Sequence, residues 1–166
     1  MKYPAFNEYQ AALQHPSRCL APLSLRNCIA ESDLWGLPRV RSGGFALTYK
    51  LSDGKSTWAL RCFHKHVPDR EERYQSINQY IQRASVDYLE NIQYIPDGIS
   101  IKGVKFPITF MKWVEGETLE AYVIRHLDQP EALHDLALKF YRLVLDLEKR
   151  KITHGDLSHH NIMVRN

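Results

Sequence analysis

An aspartate and an asparagine five residues apart, Asp156 and Asn161, are the pair whose types and spacing in this chain could do chemistry. They lie in the run His154-Gly155-Asp156-Leu157-Ser158-His159-His160-Asn161, entered by Ile152 and left by the apolar Ile162-Met163-Val164. A carboxylate so placed can orient a hydroxyl and accept its proton. A carboxamide shortly after it can ligate a hard divalent cation without adding a second negative charge beside phosphates. Base and metal ligand together suit phosphoryl transfer, in which catalysis is mostly positioning and charge stabilisation. Asp156 is the expected base and Asn161 the expected Mg²⁺ ligand.

A phosphate donor needs a binding surface, and two stretches offer one. Ser42-Gly43-Gly44-Phe45-Ala46 sits at a bend between predicted strands, where glycines let backbone approach phosphates; a plain β-turn accounts for the same residues. Ala59 and Arg61 are two apart on a predicted strand and so share a face, with a small side chain leaving room for a flat ring and a cation within reach of phosphates. A surface arginine on a strand is the alternative there. Met111, Lys112, Trp113 and Val114 lie at the end of a further predicted strand, which reads on its own residues as an edge strand running into a turn.

The run from His154 to Asn161 resembles the H-x-D-x-x-x-x-N catalytic loop of the protein-kinase-like superfamily, including the closing apolar strand. The resemblance extends over about 36–166 and implies an ATP-dependent, Mg²⁺-dependent phosphotransferase, of the Ser/Thr protein-kinase type. By the same resemblance Gly43, Gly44, Ala59 and Arg61 surround the nucleotide, Arg61 standing where the family has Lys. Met111 guards the back of the pocket, and Lys112 to Val114 form the hinge. The family pairs that cation with a helix glutamate, whereas here Gln79 has the interval but points away from the apolar face of the following helix. Gly155 replaces an arginine, and the H-G-D form also resembles aminoglycoside phosphotransferases and choline kinases, which act on small hydroxylated molecules. The family's second metal-binding Asp, in D-F-G, follows this loop, and the expectation is a chain truncated before it. A pseudokinase or a truncated nucleotide- or partner-binding module is the competing expectation.

The elements that must position these residues read as an α+β chain with a protein-kinase-like fold: an antiparallel small-lobe sheet with one helix, then the beginning of a helical large lobe. Residues 1–35 read as a lead-in with a short helix over 6–14, 36–114 as the small lobe and 115–166 as the start of the large lobe. Alternation predicts strands from Phe45 to Leu51 and from Trp58 to Cys62 around Ser52-Asp53-Gly54-Lys55. Asp69 and Glu72 form a capping-box pattern opening a helix to about Ala84, its apolar face given by Tyr74, Ile77, Ile81 and Ala84. A strand pair is predicted at 92–95 and 99–101 around Pro96-Asp97-Gly98, then a strand over 106–114. A short helix to about Leu127 and a long one from Pro130 to about Arg150 follow, the latter with Leu133, Leu136, Ala137, Phe140, Tyr141, Val144 and Leu147 at helical spacing as lobe core.

Composition agrees with a folded chain, at 44% hydrophobic and 25% charged residues. A net charge of +3 with scattered basic residues gives no nucleic-acid surface. Cys19, Cys28 and Cys62 lack paired spacing, which excludes a disulfide framework or structural zinc site and suggests a cytoplasmic setting. Neither a signal peptide nor a membrane span is expected. His159 and His160 invite a zinc reading, but adjacent histidines on a regular element diverge and no Cys or acidic cluster lies nearby in sequence. They are taken as variable loop positions, with His154 propping the loop.

Overall fold

Strand alternation and tight turns build most of the first part of the molecule. The computed structural model describes residues 2–84, 86–153, 155 and 157–165. In chain order the elements are α1 (Phe6–Ala12), α2 (Pro16–Cys19), α3 (Leu23–Arg26), β1 (Ile29–Ala30), β2 (Val40–Ser42), β3 (Ala46–Ser52), β4 (Thr57–Phe63), α4 (Arg70–Ala84), β5 (Gln93–Ile101), β6 (Val104–Lys112), β7 (Glu117–Thr118), α5 (Leu119–Arg125), α6 (Pro130–Lys149) and β8 (Met163–Val164). The result is mixed α and β, and it divides into two units, residues 1–113 and 114–166.

The first unit is an antiparallel sheet in the order β1-β3-β4-β6-β5, with β2 pairing β3 beside β1. Period-2 alternation gives the sheet two different faces. On one, Leu47, Tyr49, Leu51, Leu60, Cys62, Ile99, Phe106, Ile108 and Phe110 are buried against Tyr9, Leu13, Leu20 and Leu25 of the N-terminal helices. The broken stretch read as a lead-in thus supplies much of the core. Tyr9 fixes the packing, its hydroxyl donating to the Phe63 carbonyl at 2.6 Å.

β5 departs from the sequence reading. The predicted strand pair at 92–95 and 99–101 is one strand, both parts of which pair with β6: Ile95 with Ile108, and Ile99 with Phe106. Pro96-Asp97-Gly98 is a bulge within it rather than a turn. The reversal falls at Lys102-Gly103, whose φ values of 51° and 81° make the two-residue turn that matches strand twist. β6 starts at Val104 and ends at Lys112, earlier at both ends than the predicted 106–114 strand. Asp69, the predicted N-cap of α4, has φ 55°, outside the extended conformation of an N-cap.

In the second unit, α5 is capped by Thr118, whose hydroxyl accepts from the Ala121 amide at 3.2 Å. β7 and β8 form a small ladder, Glu117 with Val164 and Thr118 with Met163. The predicted apolar stripe of α6 forms on the helix but does not become a core within this unit: Leu147 is the buried residue of α6, while Tyr141 is 61% exposed. No helix among the described residues is long and apolar enough to cross a membrane.

Candidate functional site

Sheet register places Ala59 and Arg61 on the face of β4 turned away from the N-terminal helices. Ala59 pairs with Lys50 on β3 and Met111 on β6, and Arg61 with Thr48 and Thr109. Ala59 is buried, Met111 and Arg61 half-buried. A small residue is thus flanked by a methionine and a lysine, with Arg61 one step along the same face. Cations also gather at Trp113: the Arg41 guanidinium and the Lys50 ammonium lie 4.7 and 4.8 Å from the indole centroid. Arg41 is also paired with Glu31, its guanidinium 3.7 Å from the carboxylate.

The residues expected to form a hinge are partly committed. The Trp113 amide donates to the Thr57 carbonyl at 2.9 Å, so it is spent within the sheet. Lys112 is exposed and pairs with Trp58, and Val114 follows the strand.

Gly43 and Gly44 form the bend between β2 and β3, closed by the Gly43 amide on the Ala46 carbonyl at 2.9 Å. Neither has positive φ, and a Cβ on Gly44 would meet nothing within 4 Å. Chain geometry does not demand glycine there. His64 braces the bend, its ring nitrogen 3.2 Å from the Gly43 carbonyl oxygen. Beyond Arg61 on the same strand face, Phe63 opens into a cleft of about 360 Å³ lined by Phe45, Val67, Arg70, Arg73, Tyr74 and Ile77. Arg70 is buried at 8% exposure, donating to the Lys65 carbonyl at 2.6 Å, with its guanidinium 3.8 Å from the Phe63 ring centroid.

The α4 helix supplies no carboxylate to this surface. Among the described residues none lies within ion-pair distance of Arg61. Glu71 accepts from Gln75 at 3.3 Å on an exposed flank, and Gln79 is exposed. The helix is held instead to the chain entering β5, through Asn78 bonding the backbone of Ile92, and to β5 itself through Tyr74 stacking on Tyr94 at 5.6 Å.

In the second unit Asp156 and His154 lie outside the described residues. Gly155 has φ 77°, a conformation that a side chain would strain, which gives a backbone reason for glycine at that point of the loop. Ser158 to Asn161 form a turn closed by the Asn161 amide on the Ser158 carbonyl at 2.9 Å. Asn161 is exposed, and the chain then enters β8. Arg125 donates to both oxygens of Glu117 on β7 and holds that carboxyl below the usual range.

No protein-family model matches the chain, and no curated protein matches it.

The sequence reading missed one participant, Glu120. Its carboxylate oxygens lie 3.7 Å from His159 Nε2 and 3.2 Å from His160 Nε2. No local motif links it to histidines 39 and 40 positions later; the β7–β8 ladder brings them together.

Proposed function

We propose that the chain is an ATP-dependent phosphotransferase resembling the protein-kinase-like superfamily. The observation that carries this reading is the His154–Asn161 run, with a carboxylate and a carboxamide spaced for base and Mg²⁺ ligand ahead of an apolar strand. Two features of the first unit support it. Ala59, Met111 and Arg61 share one sheet face, as an adenine seat with a phosphate-directed cation requires. Gly44 faces open space without a conformational need for glycine, which fits a bend kept bare for an approaching ligand.

In this reading ATP supplies the phosphoryl group, Asn161 holds Mg²⁺, and Asp156 takes the proton from the acceptor hydroxyl. Arg61 contacts phosphate as a forked donor where a lysine would act as a point charge. The acceptor is a protein Ser/Thr hydroxyl, with amino sugars and choline as the competing class suggested by the H-G-D form of the loop. The test is Mg-ATP-dependent phosphoryl transfer by the intact protein. Asp156→Asn should lower the rate by about 10²–10⁴-fold, the usual worth of a positioned general base, while an unchanged rate would sink the assignment. Screening a generic protein substrate against amino sugars and choline separates the acceptor classes.

A second reading, a nucleotide-binding pseudokinase, is favoured by one observation: Arg61 has no carboxylate partner among the described residues. It predicts ATP binding, weakened about tenfold or more by Arg61→Ala, without turnover. Any single-turnover transfer removed by Asp156→Asn would exclude it.

A further inference from the structure

We propose that Glu120, His159 and His160 form a site for one divalent transition-metal ion of the Zn²⁺ class, distinct from the Mg²⁺ ligand proposed at Asn161. One ligand atom from each residue can be chosen so that all three lie within 4.8 Å of one another. A tetrahedral ion with bonds of about 2.0–2.1 Å sets its ligands about 3.3 Å apart. Glu120 Oε2 lies 3.2 Å from His160 Nε2, which meets that, and Oε1 lies 3.7 Å from His159 Nε2, so one oxygen serving the ion requires a turn of the carboxylate. The remaining movement falls on side chains that are 45–63% exposed and free to rotate.

Neighbouring histidines on a strand would point to opposite faces. Here they occupy the two middle positions of the Ser158–Asn161 turn, and their ring centroids are 4.0 Å apart. Glu120 reaches them from the first turn of α5. The approach is fixed by backbone, because the Leu119 amide donates to the Ile162 carbonyl at 2.9 Å and the Glu120 amide to the His159 carbonyl at 3.4 Å. Thr118 pairs with Met163 one step further out. Two imidazoles and one carboxylate favour a borderline ion over Mg²⁺ or Ca²⁺, and three protein ligands facing solvent leave a fourth position for water. The three buried thiols are too enclosed to compete.

The inference does not rest on the phosphotransfer reading, and its test omits nucleotide so that each can fail alone. The intact, tag-free chain is stripped with chelator and titrated with Co²⁺, read by its visible absorption, and with Zn²⁺, read by calorimetry. One ion per chain is expected, with a tetrahedral-type Co²⁺ spectrum. Glu120→Gln and His160→Ala should each weaken Zn²⁺ binding at least tenfold with unchanged circular dichroism, and His64→Ala should leave it intact. Absence of stoichiometric binding at micromolar metal, or equal binding by wild type, Glu120→Gln and His160→Ala, would overturn the site.

Discussion

Three thiols, Cys19, Cys28 and Cys62, sit in the core behind the sheet, and burial makes each reluctant to ionise. Cys19 is pushed up to about 11 from an ordinary 9.0, Cys62 well above that ordinary value, and Cys28 upward. Tyr9 and Tyr49 move the same way for the same reason. A pKa raised by folding means that the folded state holds its proton longer than the unfolded one. The stability this gives is complete below the unfolded value near 9 and is lost as pH climbs through about 11. Urea unfolding at pH 8, 9, 10 and 11 should therefore show midpoints that fall above pH 9. A flat profile would mean that the thiols and phenols are more hydrated than their packing indicates. At this scale the Asp156–Asn161 run could be singled out because its residues are neighbours in sequence, and its chemistry stays a proposal. Glu120 could not, because its relation to His159 and His160 exists only after a β-ladder has closed.

Among the elements, β5 shows both what local pattern can read and where it fails. Alternation placed β3 and β4 and the turn between them, since Leu47, Tyr49 and Leu51 are buried while Thr48 and Lys50 between them are half-buried. Pro96-Asp97-Gly98 carries the composition of a turn, yet tertiary pairing keeps both flanks on β6. The bulge lets the Gly98 carbonyl accept from the Ala21 amide at 2.9 Å and brings Leu20 to Ile99. It also requires glycine for steric reasons. A Cβ there would lie 2.1 Å from Ile108 Cγ1 and 3.1 Å from the Ile95 carbonyl oxygen, and Ile108 is fully buried. Gly98→Ala should destabilise the first unit by about 1–3 kcal/mol, the usual cost of overpacking. Gly44→Ala, facing open space, should leave the thermal midpoint nearly unchanged. Equal midpoints for the two variants would show that β5 can shift to relieve the contact. The α6 stripe taught the opposite lesson, because helical spacing found the helix, yet Ala137, Tyr141 and Val144 of the expected core face are exposed.

For the first unit as a whole, the consequential fact is that residues 6–30 form one wall of the core. Removing them would uncover the face that buries Tyr49, Leu60, Ile108 and Phe110 and would discard Tyr9, Leu13, Leu20 and Leu25. At about 1.5–3 kcal/mol for each of those four side chains, the loss is on the order of 6–12 kcal/mol, comparable to the entire stability of an ordinary domain. A chain beginning at Gly36 should lack a cooperative thermal transition and expose dye-binding apolar surface; a sharp transition would show that the sheet holds without its N-terminal wall. The extent of the wall was hidden in the sequence by its Pro, Ser and Asn punctuation, which marks short helices and turns as readily as a loose leader.

Trp113, with Arg41 and Lys50 set against its indole, gives the sheet face a built-in optical reporter. Indole emission responds to charge held close to the ring, so an anion that drew either cation away would change the colour and yield of this one fluorophore. Trp35 at 83% exposed belongs to a turn held by Asp33, and Trp58 packs edge-on against Phe110, so both report on other surroundings. With those two replaced by phenylalanine, the protein would carry its own dye at the end of β6, and ligand capture on the Arg61 face could be followed by light without any label.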